Sequence, residues 1–121
     1  MTALLVEDDS KRMAAIKEWL EKSNITVMTA EDGREALKIL HHENNIEVIL
    51  SDSNLPFHDG FRLAYDVKKD SKLKGIKYLL YSGRQILEDN IAYAKRIGVD
   101  FCITGTEPEE IQKEFFNFIN K

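Results

Sequence analysis

Short apolar clusters recur along the chain at residues 3–6, 25–28, 48–50, 76–81 and 99–103, each too brief for a helix. The intervals between them are long enough for one helix each, and several carry helical periodicity. Met13, Ile16 and Leu20 fall on one helical face, as do Ala36, Leu37 and Leu40, while Ile111, Phe115, Phe118 and Ile119 follow i, i+4, i+7, i+8. This is a strand–helix alternation repeated five times. Strands joined by crossover helices pair in parallel, and both faces of such a sheet are covered. The first, third and fourth runs are nearly continuously apolar, which predicts central strands.

The ends of the helices are marked as well. Asp9 or Ser10 can cap the first helix and Asp32 the second; Thr106 with Glu109 forms a capping-box pattern, with Pro108 in the first turn of the last helix. Gly75, Gly98 and Gly105 punctuate the joints. No internal repeat or low-complexity stretch interrupts the pattern, so it predicts one doubly wound α/β domain over residues 1–121.

Composition narrows the function classes. The 121 residues are 43% hydrophobic and 31% charged, ordinary values for a folded domain. The formal net charge is -4 with both signs scattered, so no basic stripe is present to neutralise a phosphate backbone, and direct nucleic-acid binding is not expected. One cysteine, Cys102, excludes an internal disulfide and a multi-cysteine zinc site. With no signal-like opening and no apolar run near the roughly 20 residues needed to cross a bilayer, the expectation is a soluble, cytoplasmic protein without membrane partners.

In an open parallel sheet, ligands collect outside the carboxyl ends of the strands, where the winding reverses. Glu7, Asp8 and Asp9 leave the first strand there, Asp52 leaves the third, and Ser82-Gly83 leaves the fourth. Asp52 is either a polar residue where a strand meets solvent or a residue placed for chemistry. If the first and third strands are neighbours, their acids converge, and two carboxylates about 4 Å apart repel by roughly 1–4 kcal/mol. A hard dication with oxygen ligands removes that penalty, and magnesium suits the set.

The segments LLVEDD, DSNLPFHDG beginning at Asp52, and YSG ending at Gly83 together resemble the receiver domain of two-component response regulators, over essentially the whole chain. The resemblance implies a flavodoxin-like five-stranded parallel sheet in the order 2-1-3-4-5, flanked by five helices. It implies that Asp52 is the phosphoacceptor, and that Asp8 ligates Mg2+ directly. Glu7 would act as the second acid, directly or through water, and the Asn54 backbone carbonyl would complete the metal shell. Ser82 matches the switch hydroxyl that bonds the phosphoryl group, and Pro56, Asp59 and Gly60 match the turn into the third helix. Asp9 reads as a helix cap. The implied protein is a regulatory phosphoacceptor rather than an enzyme, assisting only its own phosphorylation and dephosphorylation. Its implied partners are a histidine kinase or histidine phosphotransfer protein and a downstream target or effector domain. A homodimer through helix four, strand five and helix five is also implied, with Tyr93 and Phe116 as surface candidates.

One element of the family pattern is missing. Receivers generally carry a lysine at the end of strand five whose ammonium contacts the phosphoryl oxygens; here Gly105 or Thr104, depending on the alignment, stands in its place, and Cys102 replaces the usual switch aromatic, with Phe101 beside it. Phosphate acceptance with Mg2+, Ser82 and Arg84 handling the charge is the favoured reading. The alternative is a phosphorylation-independent module that acts through protein contacts. A haloacid dehalogenase-type phosphatase is disfavoured because Asn54 stands where a second Asp is needed, and a flavodoxin because acids, not a phosphate loop, follow strand one.

The remaining candidates have plainer readings. His41-His42 reads as a solvated helix end, His58 as a residue tuning access, and Trp19, Tyr65 and Tyr93 as packing or partner surface. Cys102 reads as a small buried strand residue. Phe116 falls off the apolar stripe and is expected at the surface.

Overall fold

The apolar runs do fold as strands, and the periodic intervals as helices. A computed structural model describes residues 1–55 and 59–120. Its elements are β1 (Thr2–Val6), α1 (Ser10–Lys22), β2 (Thr26–Ala30), α2 (Gly33–His42), β3 (Ile46–Asp52), α3 (Gly60–Lys69), β4 (Lys77–Tyr81), α4 (Glu88–Arg96), β5 (Phe101–Cys102) and α5 (Pro108–Ile119). The strands form one parallel sheet in the order β2-β1-β3-β4-β5, so the three most apolar runs are the central ones. Among the described residues no helix is long and apolar enough to cross a membrane.

Two cores sandwich the sheet. On one face Leu4, Val6, Ile49, Tyr78 and Leu80 pack against Ala36 and Leu40 of α2, Leu63 and Val67 of α3, and Ala94 of α4. On the other, Leu5, Leu50, Leu79 and Tyr81 pack against Ile16, Trp19 and Leu20 of α1 and Ile111 and Phe115 of α5. Each fully buried Leu, Ile or Phe contributes about 1.5–3 kcal/mol relative to exposure. The helices differ in their share: α1 buries three residues, whereas α4 buries Ala94 and begins at Leu87 without a side-chain cap.

Several local expectations are corrected. α5 is capped one residue later than Thr106: Glu107 is the N-cap residue, Pro108 opens the helix, and Glu110 Oε1 accepts from the N–H groups of Thr106 and Glu107, both at 3.1 Å. The shift follows from Pro108, whose fixed φ suits the first helical position. Asp9 and Asp32 cap α1 and α2 as expected, accepting from Arg12 N and Glu35 N. β5 is shorter than its apolar run, although Asp100 and Ile103 extend its pairing through N–H bonds to Tyr78 and Leu80 carbonyls. Phe116 is half-buried, its ring 5.5 Å from Trp19 and 5.2 Å from Phe115, because α5 crosses α1 closely enough to cover an off-stripe position. Cys102 is only half-buried, since β5 is an edge strand; burial still raises its thiol pKa.

Gly60 fixes the turn beyond β3. A Cβ there would collide with the Asp52 carbonyl and with Ser53 and Leu80, so α3 approaches the strand end as closely as backbone permits. Asp59 caps the helix by accepting from Arg62 N at 2.8 Å, and the Tyr78 hydroxyl donates to the Gly60 carbonyl at 2.7 Å.

Candidate functional site

The strand register generates the acid cluster. Leu5, Leu50 and Leu79 are neighbours across β1, β3 and β4, on the face covered by α1 and α5. Side chains alternate with period two, so Glu7, Asp52 and Tyr81, two residues further along each strand line, return to that same face. The apolar row becomes an acidic one as the strands end. Glu7 is fully buried, Asp52 is 4% exposed, and Asp8 is exposed. Carboxylate oxygens of Glu7, Asp8 and Asp52 lie within 4.8 Å of one another.

Burial pushes the Asp52 carboxyl up to about 7; the Asn54 N–H, which donates to Oδ1 at 3.1 Å, opposes this, the Glu7 charge adds to it, and Arg12 opposes it again. Both Glu7 oxygens are engaged: Oε1 accepts from the Tyr81 hydroxyl at 2.6 Å, and Oε2 from Asp9 N at 3.1 Å. Burial first, and then the Glu7 charge, hold the Tyr81 phenol pKa well above its ordinary value, so the hydroxyl keeps its proton to donate. Arg12 of α1 lies between the buried acids, Nη1 being 3.7 Å from Glu7 Oε1 and 3.6 Å from Asp52 Oδ2.

Above the acids is a cleft of about 510 Å³, lined by Asp8, Arg12, Asp52, Asn54, Ser82 and Gly83 among others. Ser82 is 8% exposed, and its Oγ accepts from Arg84 N at 3.1 Å. Glu7, Asp8, Asp52, Asn54 and Ser82 are therefore gathered at one rim, with Arg84 on the cleft wall. Pro56 and His58 lie outside the described residues. An all-oxygen donor set of three close carboxylates fits a hard dication such as Mg2+.

Thr104 and Gly105 are elsewhere. Glu114 of α5 accepts from the Thr104 N–H and hydroxyl through Oε1, at 2.9 and 3.1 Å, and from Gly105 N through Oε2 at 2.6 Å. A Cβ on Gly105 would meet Glu110 and Glu114, so a side chain there starts out against α5. His41 and His42 are exposed, with His41 Nε2 3.1 Å from Asp70 Oδ2. Tyr93 is 42% exposed, 6.1 Å from the Phe61 ring.

The profile of the response regulator receiver domain matches residues 3–115. The chain belongs to this family. Two-component response regulator ORR11 from Oryza sativa subsp. indica is 29% identical over 112 residues, spanning 93% of this chain and 76% of that protein. The structure of chemotaxis response regulator CheY4 of Vibrio cholerae superposes with a TM-score of 0.85 at 26% identity, covering 96% of both chains. That of the phosphorylated cyanobacterial phytochrome response regulator RcpA does so with a TM-score of 0.84 at 31% identity, over 97% of this chain and 91% of that one. The receiver is thus a regulatory module of two-component signalling with the flavodoxin-like order 2-1-3-4-5.

Sequence reading missed two residues of the site, Arg12 and Tyr81. Arg12 sits in a helix whose other positions read as ordinary amphipathic pattern. Tyr81 carried a usable signal: a hydroxyl on the apolar β4 run, in register with Asp52.

Proposed function

We propose that this receiver takes a phosphoryl group on Asp52 in a Mg2+-dependent reaction and signals through altered protein contacts. The observation that carries the reading is the meeting of Glu7, Asp8 and Asp52 within 4.8 Å at the rim, beside Ser82. Asp8 and Asp52 would hold the ion, with Glu7 as the second acid, directly or through water, and the Asn54 backbone carbonyl as a further oxygen ligand. Bound Mg2+ supplies positive charge against the phosphoryl oxygens.

The chain's own residues do the rest. An Asp52 carboxylate oxygen attacks the phosphorus of a phosphohistidine donor; the P–N bond breaks as the P–O bond forms, and the released imidazole takes up a proton. The donor is a histidine kinase or histidine phosphotransfer protein. Asp52 then carries about -1.5 to -2 charge and new acceptor oxygens, to which Ser82 donates its hydroxyl proton, drawing in the loop ahead of α4. RcpA, one of the similar proteins, has been captured phosphorylated, which supports the same chemistry here.

The test is incubation with Mg2+ and a small acyl phosphate donor, followed by mass-spectrometric mapping. Label on wild type that is absent from Asp52→Ala is the expected result. Label persisting in that variant defeats the site assignment. No label, together with no Mg2+ or beryllofluoride binding, establishes the phosphorylation-independent module instead.

A further inference from the structure

Arg12 is, among the described residues, the cation whose guanidinium reaches the buried acids. Three features hold it there. Its backbone N–H is bonded to the Asp9 cap, which fixes the root of the side chain in the first turn of α1. Its side chain is 29% exposed, so solvent screens it less than a fully exposed one. Its guanidinium lies against the backbone of Gly83: a Cβ added there would stand 2.5 Å from Nη2 and 2.9 Å from Cζ and Nη1. The absence of a side chain at Gly83 leaves the guanidinium room to lie there; a Cβ would make it shift.

The spacing also matters. At 3.6 and 3.7 Å the guanidinium is within ion-pairing range of Asp52 and Glu7 but beyond hydrogen-bond length. Its N–H groups are therefore not committed to either carboxylate, and a planar fork of this kind matches phosphate oxygens. The alternatives are less well placed. Thr104 and Gly105 have their N–H groups tied to Glu114, and Arg84, although it lines the cleft, is exposed and has, among the described residues, no ion pair to the acids.

We propose that Arg12 is the cation that binds the phosphoryl group on Asp52, supplying from α1 the charge that strand five lacks. The assignment rests on Asp52 being the phosphoacceptor. Because Arg12 also occupies the acid cluster before modification, it competes there with Mg2+.

Arg12→Ala and Arg12→Lys test this, with labelling by a small acyl phosphate at saturating Mg2+ and with Mg2+ affinity measured separately by calorimetry. Arg12→Ala is expected to label about 10–100-fold more slowly, as on loss of a preorganised charged donor. Its Mg2+ affinity stays the same or rises. Arg12→Lys restores much of the rate, keeping the charge without the fork. Arg12→Ala labelling within threefold of wild type overturns the proposal. So does labelling that falls together with Mg2+ affinity, which marks a collapsed cluster, or a lysine variant no better than alanine. If wild type itself neither labels nor binds Mg2+, the phosphoacceptor reading fails first and the role of Arg12 with it.

Discussion

Two charged clusters lie at opposite rims of the same sheet, and they are built on opposite principles. At the amino ends of β4 and β5, Lys68 Nζ donates to the carbonyls of Lys74 and Ile76 at 3.1 and 2.8 Å and to Asp100 Oδ2 at 2.8 Å. The same Asp100 oxygen accepts from Tyr78 N at 2.8 Å, and Lys77 stands 3.9 Å from the other. Every proton of the Lys68 ammonium has a partner, and its charge is met at hydrogen-bond length by that of Asp100. At the carboxyl ends, Glu7 and Asp52 share one guanidinium held beyond hydrogen-bond length, with the Asp8 carboxylate close beside them. Balanced, short-range charge is architecture; a surplus of one sign kept in a dry place is capacity for a ligand.

The contrast is most sharply tested by Lys68→Met, which leaves Asp100 and two carbonyls short of a donor. It should destabilise the fold by about 2–4 kcal/mol in urea unfolding, while Asp52 labelling by a small donor stays unchanged. A loss of labelling in a folded Lys68→Met protein would show that the two rims are coupled.

Asp52→Asn acts in the other direction. Removing a charge from the crowded acid row should stabilise the metal-free protein by about 1–2 kcal/mol, read from thermal or urea unfolding in chelator. Added Mg2+ should stabilise wild type and leave the variant nearly unmoved. A variant less stable than wild type without metal would mean that Arg12 already satisfies the cluster.

The smallest effect belongs to an exposed site of the balanced kind. Asp70 has its pKa lowered, first by the Lys72 N–H at 2.8 Å and then by His41. A carboxyl whose folded pKa is depressed adds stability above its unfolded pKa and loses it as pH falls through the folded value. Asp70→Asn should therefore be slightly less stable than wild type at neutral pH. The difference should fade below the ordinary aspartate range, as pH-dependent unfolding curves of the two proteins can show.

Much of this was legible in the sequence, for identifiable reasons. Helix and strand periods differ, so the apolar spacing of Ile16, Leu20, Ile111 and Phe115 specified faces, and the brevity of the strand runs specified crossovers. Glu7, Asp8 and Asp52 could be placed at a rim because each directly follows an apolar run. Arg12 could not: its position depends on how α1 docks over β1 and β3, and a basic residue in an amphipathic helix is ordinary until that docking is known. The fate of Gly105 was hidden for a similar reason. Only the fold shows that Glu114, nine residues on, turns the loop's amides towards α5. The cap of α5 moved by one residue, from Thr106 to Glu107, because Pro108 fits the first helical position.

α4 has a small hold on the interior. Where α1 is nailed down by Ile16, Trp19 and Leu20, α4 presses Ala94 inward and starts from an uncapped Leu87 that is 68% exposed. Its amides should be among the first of the helical ones to trade protons with deuterated solvent. A tug on the segment that links it to Ser82 then meets little resistance, and a helix of nine residues, roughly 13 Å long, would carry the displacement along the surface.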